Sequence, residues 1–585
     1  MKRDVLDTIK DKRKADLVVK NGSFVNVASR EIYEGGVAVT GKYVVAIDNL
    51  EDYIGPETKV IDAKGRYITP GFVDAHIHPE SSNLSIKRFA EAIMKHGTTS
   101  IMTDIHEIGV VSGLKGIEAV LDEGKQTDLN IYFVVPSHIP FAPNLETSAG
   151  QFNSEIIKEA LKREDAVGLS EIVAPYLTAG FPDLEKSMAQ TLKNRQSCQG
   201  HLPETVGRDL DYCIASGVTT DHECLKTEEA LERVRKGCHV MMREGSAARN
   251  LADCVKIITQ YKVDSTLCSI VTDDLHTLDL VNRGDLDDAM RTAIKCGVDF
   301  ITAVQMVTIN ASRAFHLEHE CGSLVPGARA DICLLDKESL TVSTTIAGGI
   351  EVYNKEDDFQ IHYEDTVHDP CLMETVKLPS FCKEDLAIKV NKNAKKAKVL
   401  GMKTLDWIPI TLGQEATLAV KDGIIQCDVD QDMLYIAQVE RYGINGNIGK
   451  GFIGGFNLKS GAIASSIAHD NHNIIVIGTN LADMETAVRH CQKMNGGQCI
   501  VNNNKVLADV AFPICGLMSD LSAEELAEQK SKMIAETHKL GSKIPIPFMF
   551  LSFIGLAAIP SYAITDKGFI DVEKQQIINP VLEVE

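Results

Sequence analysis

The fold of this chain is decided by a short, mostly apolar stretch that ends in alternating histidines: Pro70-Gly71-Phe72-Val73-Asp74-Ala75-His76-Ile77-His78-Pro79-Glu80. Side chains at positions i and i+2 of a β-strand point to the same side. His76 and His78 can therefore present two imidazoles to one point at the end of a strand. Imidazole suits zinc, iron and related divalent metals. Taken alone, the stretch indicates either part of a metal site or two surface histidines.

The residues after this stretch alternate between short apolar runs and longer amphipathic segments. The eight runs are Gly71–Ala75, Thr99–Thr103, Ile131–Val135, Val167–Ser170, Cys198–Gly200, Val218–Thr220, His239–Met242 and Cys268–Val271. Eight strand–helix repeats over roughly 250 residues are typical of a TIM-like (β/α)₈ barrel. We place this barrel at residues 66–319 of an α/β protein. The alternative, an open doubly wound sheet, usually carries a Gly-x-Gly-x-x-Gly turn after its first strand, and this sequence has none there.

Polar residues able to bind metal or move protons follow nearly every run. They are His76 and His78; Asp104, His106 and Glu107; Ser137 and His138; Glu171; His201; Asp221, His222 and Glu223; Arg243, Glu244 and Ser246; and Asp273 and Asp274. The carboxyl ends of barrel strands form one face, where active sites of this fold are built. Ordinary surface charges would be scattered along the loops. The repeated placement therefore predicts a metal-dependent active site.

Short-strand patterns flank the predicted barrel on both sides. Residues 1–65 and 320–360 are expected to form one small, discontinuous β-sandwich domain. Within it, Asn21-Gly22 after an apolar run predicts a hairpin turn. Residues 365–585 are expected to form a separate C-terminal α+β domain, with helices at Asp483–Met494 and Ala523–Lys539.

Composition and charge exclude several classes of protein. The chain has 585 residues and a net charge of -22, which argues against a nucleic-acid backbone as its main partner. Its 15 cysteines are scattered, without any Cys-x-x-Cys, and are typical of free thiols in a reducing compartment. The N-terminus lacks the apolar core of a signal peptide. We therefore expect a cytoplasmic protein.

One uncharged segment, residues 544–564, is long enough to suggest a membrane span. It contains Pro545, Pro547 and Pro560, and three prolines are hard to accommodate in an isolated spanning helix. We expect a buried segment of the last domain and no membrane partner.

Several motifs resemble those of the adenine deaminase family within the amidohydrolase superfamily. They are Phe72-Val73-Asp74-Ala75-His76-Ile77-His78-Pro79-Glu80-Ser81-Ser82, His106-Glu107-Ile108, Gly217-Val218-Thr219-Thr220-Asp221-His222-Glu223, Arg243-Glu244-Gly245-Ser246-Ala247-Ala248, Thr272-Asp273-Asp274 and Ser460-Gly461-Ala462-Ile463-Ala464-Ser465-Ser466-Ile467-Ala468-His469-Asp470-Asn471-His472-Asn473. The resemblance covers nearly the whole chain. The last motif is the most specific, because generic amidohydrolases lack the C-terminal domain.

The resemblance implies a binuclear divalent metal centre, with manganese or iron the expected occupants and zinc possible. His76 and His78 would hold one metal, and His201 and His222 the other. Glu171 matches the position of the group that bridges the two metals. Asp273 would complete the ligand set and move the proton, so Glu171 and Asp273 are the predicted catalytic residues.

The resemblance also implies hydrolytic deamination of adenine to hypoxanthine and ammonia, a small-molecule purine substrate and a plausible homo-oligomer. The predicted substrate-binding residues are Asp274, Glu80, His106, Glu107, Glu223, Arg243, Glu244 and Ser246, and for most of them a supporting structural role is equally compatible with the sequence. His469 and His472 fit either a second metal site or a structural loop.

The chain departs from the family pattern at four positions. Leu275 replaces an Arg, Leu202 and Glu204 stand in an altered segment after His201, and Ile105 replaces a Pro. The change at Leu275 and the added Glu204 would make the pocket more negative. Two alternatives therefore stay open: hydrolysis of another aminopurine or cyclic amide or amidine, and an inactive, metal-free paralogue with a binding role.

Overall fold

The computed structural model describes residues 2–405, 408–558 and 561–585, and the chain divides into two compact units. The first unit comprises residues 1–105, 120–137 and 153–366, and the second comprises residues 106–119, 138–152 and 367–585. Each unit is described by itself below.

The first unit begins with a short helix and five strands. Their bounds are α1 (Arg3–Ile9), β1 (Leu17–Asn26), β2 (Glu31–Thr40), β3 (Tyr43–Ala46), β4 (Lys59–Asp62) and β5 (Tyr67–Pro70). The predicted hairpin at Asn21-Gly22 is wrong, because β1 runs straight through it. The pairing register of β1 with β2 shifts between Val19 and Gly22, and Asn21 has a φ of 59°. The left-handed residue thus creates a β-bulge within a strand and does not reverse the chain.

Eight parallel strands follow, and each pairs with the next along the chain. They are β6 (Phe72–Asp74), β7 (Thr98–Thr103), β8 (Asn130–Pro136), β9 (Ala166–Val173), β10 (Ser197–His201), β11 (Thr220–Asp221), β12 (His239–Arg243) and β13 (Cys268–Val271). A parallel bridge between Ile77 and Asp273 joins the first strand to the last. The sheet therefore closes into the predicted barrel.

Helices lie between these strands in sequence and after the last one. They are α2 (Ile86–Met94), α3 (His106–Gly124), α4 (Ser154–Ala160), α5 (Ala174–Thr178), α6 (Pro182–Lys193), α7 (Gly207–Ala215), α8 (Thr227–Arg235), α9 (Leu251–Cys254), α10 (Lys256–Thr259), α11 (Thr277–Asn282), α12 (Leu286–Lys295), α13 (Phe300–Met306) and α14 (Ile309–Arg313). Residues 106–119 of α3 belong to the second unit. Val73, Met102, Val134, Met241 and Val271 come from five of the barrel strands and share one buried cluster. Such side chains fill the interior of a small barrel and leave the strand ends for chemistry.

The chain then returns to the first strands through β14 (Ile332–Leu335), β15 (Val342–Ala347), β16 (Ile350–Asn354) and β17 (Phe359–Gln360). Hydrogen bonds join these strands and the first five in a single nine-stranded sheet, ordered β17-β16-β15-β14-β5-β1-β2-β3 with β4 beside β1. The link is the antiparallel pairing of β14 with β5. This sheet thus combines residues from both sides of the barrel.

The second unit contains a ten-stranded sheet and a three-stranded sheet. Its elements are β18 (Lys396–Leu405), β19 (Ile408–Lys421), β20 (Ile424–Ile425), β21 (Leu434–Val439), β22 (Ile448–Gly454), β23 (Ala462–Ser465), β24 (Ile474–Gly478), α15 (Leu481–Lys493), β25 (Gly497–Asn502), β26 (Lys505–Ala511), α16 (Ala523–Lys539), α17 (Pro547–Phe553), β27 (Tyr562–Thr565), β28 (Gly568–Asp571), β29 (Gln576–Ile578) and β30 (Val581–Val584). The larger sheet has the order β20-β19-β18-β22-β21-β24-β23-β25-β26, with β30 beside β18.

The uncharged segment at 544–564 folds within this unit. It supplies the short helix α17, whose Phe548, Phe550 and Leu551 are buried, and most of β27. Ile559 and Pro560, which belong to the same prediction, lie outside the described residues. In the described ranges, no helix has the length and apolar character needed to cross a membrane.

Candidate active site

Four histidines and two carboxylates converge at the carboxyl ends of the barrel strands, within the first unit. His76 and His78 follow β6, Glu171 lies in β9, His201 ends β10, His222 follows β11, and Asp273 follows β13. Four of the six residues are buried, namely His76, Glu171, His222 and Asp273, and the other two, His78 and His201, are partly buried. The structure thus brings together all six predicted metal ligands.

Glu171 lies at the middle of this cluster. Its Oε2 is 2.6 Å from Nδ1 of His201, and its Oε1 is 3.4 Å from Nε2 of His76 and 3.6 Å from Nε2 of His222. The two oxygens of one carboxylate therefore face different imidazoles. A group placed in this way can bridge two cations.

Asp273 closes the cluster on the side of the first strand. Its Oδ1 is 3.6 Å from Nε2 of His76 and 3.5 Å from Nε2 of His78, while Nη1 of Arg243 donates to its Oδ2 at 3.0 Å. One oxygen of Asp273 thus faces the imidazoles and the other is held by a guanidinium. The side chain is fixed while one oxygen stays directed toward the cluster.

Both predicted catalytic carboxylates have a left-handed backbone conformation. Glu171 has a φ of 54° and Asp273 a φ of 59°. The register of β9 against β10 shifts at Glu171, because Leu169 pairs with Cys198 but Ile172 pairs with Gly200. A bulge turns a side chain away from the regular alternation of a strand. Such conformations are costly for residues other than Gly and concentrate at functional sites.

Asp74 contacts two of the strands that carry the site, although it was not among the predicted site residues. It is fully buried, and its carboxylate accepts from the backbone N–H of His76 at 3.1 Å and from Oγ1 of Thr272 at 2.6 Å. It therefore ties the first ligand strand to the last. Burial, reinforced by Asp285, raises the pKa of Asp74 to about 8.

A buried ion pair fixes the chain beside two of the predicted ligands. Nε of Arg233 donates to Asp221, and both side chains are fully buried. Asp221 also accepts from the backbone N–H of Leu202 at 3.0 Å, and Nη2 of Arg233 donates to the Leu202 carbonyl at 2.7 Å. The residues next to His201 and His222 are thereby fixed together. Arg233 lies in α8, outside every motif that we quoted, so its role could not be inferred from the sequence.

His78 has a carboxylate partner that orients its ring. Its Nδ1 lies 3.0 Å from Oδ1 of Asp104, which is buried at the end of β7. A carboxylate on the far nitrogen of a metal-binding imidazole sets the tautomer and ring orientation. The sequence feature that could have indicated this role of Asp104 is its position just after a strand, one residue before the Ile105 departure.

The electrostatics of the site come from burial and from mutual contacts. Burial opposes the charged form of His201, but Glu171 and Glu223 outweigh it and raise the pKa of His201 to about 10. Burial would raise the pKa of Glu223, yet Arg243 and the imidazoles lower it to about 2. For Glu171 too, the imidazoles outweigh burial and hold the pKa well below its ordinary value. The carboxylates are therefore ionised at neutral pH.

This donor set fits divalent metal ions. Groups of three donor atoms lie within 4.8 Å of one another in several combinations, including His76–His78–Asp273 and His76–Glu171–His222. Nε2 of His76 is buried and makes no hydrogen bond within the described part of the chain, although it points at Glu171 and Asp273. Imidazole and carboxylate are the ligands that zinc, iron and manganese accept.

The predicted substrate-binding residues have different surroundings. Arg243 is paired with Glu223, at 2.5 Å between Nη1 and Oε1, and Asp274 accepts from Ser81. Glu244 is 3.4 Å from Arg283, and Ser246 donates to Asp279 at 2.7 Å. Glu80 is buried in the turn after His78. Arg243 and Glu223 lie directly beside the histidine and carboxylate cluster, whereas Glu244 and Ser246 contact residues in or just after α11.

His106 and Glu107 belong to the second unit, unlike the other predicted site residues. They begin α3, and the Glu107 carboxylate lies within 3.1 Å of both His469 and His472 in the same unit. Glu107 thus contacts two histidines of the second unit, whereas Arg243 and Glu223 lie beside the barrel cluster.

The four departures from the family pattern are spread over different environments. Leu202 and Leu275 are buried, and Ile105 is buried with a φ of 50° at the start of α3. Glu204 is exposed, also with a positive φ. A buried leucine cannot supply the charge of an arginine, so the change at Leu275 removes a cation from this region.

Comparisons with known proteins agree with these features. Residues 67–354 match the amidohydrolase family, and residues 409–576 match the adenine deaminase C-terminal domain. Adenine deaminase 1 of Carboxydothermus hydrogenoformans is 38% identical over 97% of this chain and 96% of its own length. The adenine deaminase of Methanococcoides burtonii is 37% identical over 100% of this chain and 98% of its own. A crystal structure of an adenine deaminase is similar over 58% of this chain, with 19% identity and a TM-score of 0.44.

The two full-length relatives decide the family, because each is more than 30% identical and aligned over nearly its entire length. The family is one of hydrolases acting on carbon–nitrogen bonds, and the imidazole and carboxylate cluster supports a divalent metal cofactor. This chain therefore belongs to the adenine deaminase family of the amidohydrolases.

Proposed function

We propose that this protein hydrolyses adenine to hypoxanthine and ammonia at the carboxyl end of its barrel. The observation that carries the proposal is the complete set of ligand side chains around Glu171 in a chain aligned end to end with adenine deaminases. Water supplies the oxygen that becomes bonded to C6 of the purine, and the amino group leaves C6 as ammonia.

The proposed cofactor is a pair of divalent cations, manganese or iron, with zinc as a further chemically suitable ion. His76 and His78 would hold one ion, His201 and His222 the other, and Glu171 would face both. Bound there, divalent cations lower the pKa of water toward neutrality and act as Lewis acids.

Asp273 is the proposed general base and acid. The imidazoles and Arg243 outweigh burial and hold the pKa of its carboxyl well below the ordinary value, so it is ionised at neutral pH. Oδ1 faces the cluster and can take a proton from the attacking water. The same oxygen can then deliver that proton toward the ring nitrogen or the leaving amine.

Arg243 and Glu223 keep Asp273 ready for this task. Nη2 of Arg243 donates to Oε2 of Glu223 at 3.1 Å, which fixes the plane of the guanidinium, while Nη1 reaches both Glu223 and Asp273. A planar fork held in this way resists rotation. In this proposal Arg243 and Glu223 also contact the edge of the bound purine, together with Asp274 and Glu80.

The buried Leu202 and Leu275 support a second candidate function, because they stand at positions where the family pattern has other residues. An enzyme with the same centre could hydrolyse another aminopurine or a cyclic amide or amidine. We further propose, from the family resemblance, that the protein is cytoplasmic and forms a homo-oligomer. Light scattering of the purified protein measures the number of chains in the assembly.

An ammonia-release screen tests the proposal. Metal-free protein is loaded anaerobically with Mn²⁺ or Fe²⁺ and offered adenine, 2,6-diaminopurine, guanine, cytosine and dihydrouracil. We expect ammonia and hypoxanthine from adenine. Ammonia from another ring, or ring opening of dihydrouracil, without any from adenine would favour the second candidate. A folded protein that binds no divalent metal would contradict both.

A further inference from the structure

A second cluster of metal-ligand side chains lies in the second unit, outside the barrel. Glu107 comes from the first turn of α3, while His469 and His472 come from the loop between β23 and β24. Nδ1 of His469 is 3.1 Å from Oε1 of Glu107, and Nε2 of His472 is 3.1 Å from Oε2. One donor atom from each residue lies within 4.8 Å of the other two.

The three side chains are withdrawn from water. The exposed fraction of the side chain is 6% for Glu107, 12% for His469 and 0% for His472. Neither ring nitrogen of His472 makes a hydrogen bond of standard geometry to another described residue, although Nε2 is aimed at Glu107. A buried polar group without such a bond is costly unless a ligand satisfies it.

The loop that carries the two histidines is held on both sides. The backbone N–H of His469 donates to the Ser552 carbonyl at 3.0 Å, and Nδ2 of Asn471 donates to the Gly555 carbonyl at 3.1 Å. The hydroxyl of Tyr442 donates to the Asn471 carbonyl at 2.5 Å. The His469 ring also stacks on Phe553 at 5.0 Å between centroids. The imidazoles are thus positioned before any ion arrives.

Two imidazoles and one carboxylate form a ligand set for divalent transition metals. Zinc accepts His₂Glu sets, and ferrous iron accepts two histidines and a carboxylate on one face. Calcium and magnesium prefer oxygen ligands, so two nitrogen donors disfavour them. We propose that Glu107, His469 and His472 bind one divalent transition-metal ion within the second unit, which fixes the loop of residues 466–473 to the start of α3.

This site is independent of the proposed deaminase reaction, since none of its residues belongs to the barrel cluster. The contacts of Glu107 with the two histidines also favour metal binding over the substrate contact predicted for this residue. A structural metal of this kind would raise the melting temperature of the loaded protein relative to the metal-free protein.

Metal counting tests the proposal. Metal-free wild type, His472→Gln, His469→Gln, Glu107→Gln and Glu171→Gln are dialysed against Co²⁺ as the probe, and bound metal per chain is measured by plasma emission. We expect each of the three second-unit variants to bind one equivalent less than wild type. Glu171→Gln should lose barrel metal but retain the second-unit equivalent, which separates failure of this site from failure of the proposed active centre.

His490→Gln is the matched control. Nε2 of His490 lies 2.5 Å from Asp509 in the same unit, and this imidazole–carboxylate pair is not among the groups of three or more metal-ligand side chains found in the described residues. We expect it to bind as much Co²⁺ as wild type. Equal metal content in His472→Gln, His469→Gln and the control would overturn the proposal. If His472→Gln fails to fold, the partly exposed His469 supplies the deciding variant.

Discussion

Histidines lie at both ends of the barrel, but the groups around them differ. At the carboxyl end, His201 lies against Glu171 and Glu223, and these carboxylates raise its pKa to about 10. At the amino end, His239 begins β12 and its Nε2 lies 3.0 Å from Oγ of Ser269. Burial lowers the pKa of His239 to about 4.

The difference shows how one fold separates chemistry from stability. Carboxylates gathered at one end compensate buried positive charge, whether from protons or from metal ions. At the other end, a hydroxyl partner satisfies a neutral ring without adding charge. The carboxyl face of such barrels carries the active site, whereas the opposite face serves stability. Substitutions at the two ends should therefore change different measured quantities.

The largest expected effect is on turnover, at the carboxyl end. Asp273→Asn keeps the size of the side chain but cannot accept a proton, so we expect turnover to fall by about two to four orders of magnitude. Steady-state kinetics with adenine measures the change. Metal content should stay close to that of wild type, because the other proposed ligands remain.

The matched variant for this experiment is Asp279→Asn, an acid of the same unit that contacts Ser246 and Arg249. Its turnover should fall much less than that of Asp273→Asn. Near-normal turnover in Asp273→Asn with intact metal would refute the assignment of the base.

A smaller effect, on stability, is expected from the buried ion pair at the same end. Arg233→Met leaves the Asp221 carboxylate buried without its guanidinium, and breaking a buried pair in this way costs about 3–5 kcal/mol. Urea unfolding of the metal-free protein measures the loss. The exposed neighbour Arg235 provides the control, since Arg235→Met should change stability by less than about 0.5 kcal/mol.

The double variant Asp221→Asn/Arg233→Met distinguishes lost pairing from lost packing. Removing both charges should recover part of the stability that Arg233→Met loses. No recovery would mean that the guanidinium acts chiefly through its shape and its contact with the Leu202 carbonyl.

The smallest effect is expected at the amino end and depends on pH. An unfolded histidine titrates near pH 6.5, whereas folded His239 titrates near 4. Between these values the unfolded chain binds a proton that the folded chain does not, so the stability from His239 is full above pH 6.5 and is lost on acidification. The loss at pH 4 is about 3 kcal/mol.

His239→Gln removes this titration. We expect the unfolding free energy of wild type to fall by about 3 kcal/mol more than that of the variant between pH 7 and pH 4. Turnover of the variant at pH 7 should stay within about twofold of wild type, because His239 lies at the end of the barrel opposite the proposed active site. The exposed His316→Gln is the control and should follow wild type throughout. Parallel pH curves for wild type and His239→Gln would contradict the contrast between the two ends.

Much of the barrel could be predicted because its signals are local and repeated. Every predicted strand run overlaps an observed strand, and the predicted ligands lie at the strand ends. The rule that carboxyl ends of parallel strands meet on one face converts sequence order into proximity. The amphipathic helices α15 and α16 were predicted for a similar reason, since helical periodicity is contained in each segment.

Other features could not be predicted because they depend on partners that are distant in sequence. Asn21-Gly22 has the local chemistry of a hairpin, but β1 continues because it pairs with β4 and β5 as well as β2. The role of Arg233 depends on Asp221 becoming buried beside it. No local sequence pattern indicates the pairing of β1 with β4 and β5 or the burial of Asp221 beside Arg233.

The sequence by itself determined the order of strands and helices, the presence of His76, His78, Glu171, His201, His222 and Asp273 at strand ends, and membership of the family. Only the tertiary structure decided which nitrogen faces which carboxylate, that Arg243 is shared by Glu223 and Asp273, and that Glu107 meets His469 and His472. The physical reason is how far apart in the sequence the interacting residues lie. Periodicity and strand direction are written in neighbouring residues, whereas donor distances and buried charge pairs arise from side chains brought together by folding.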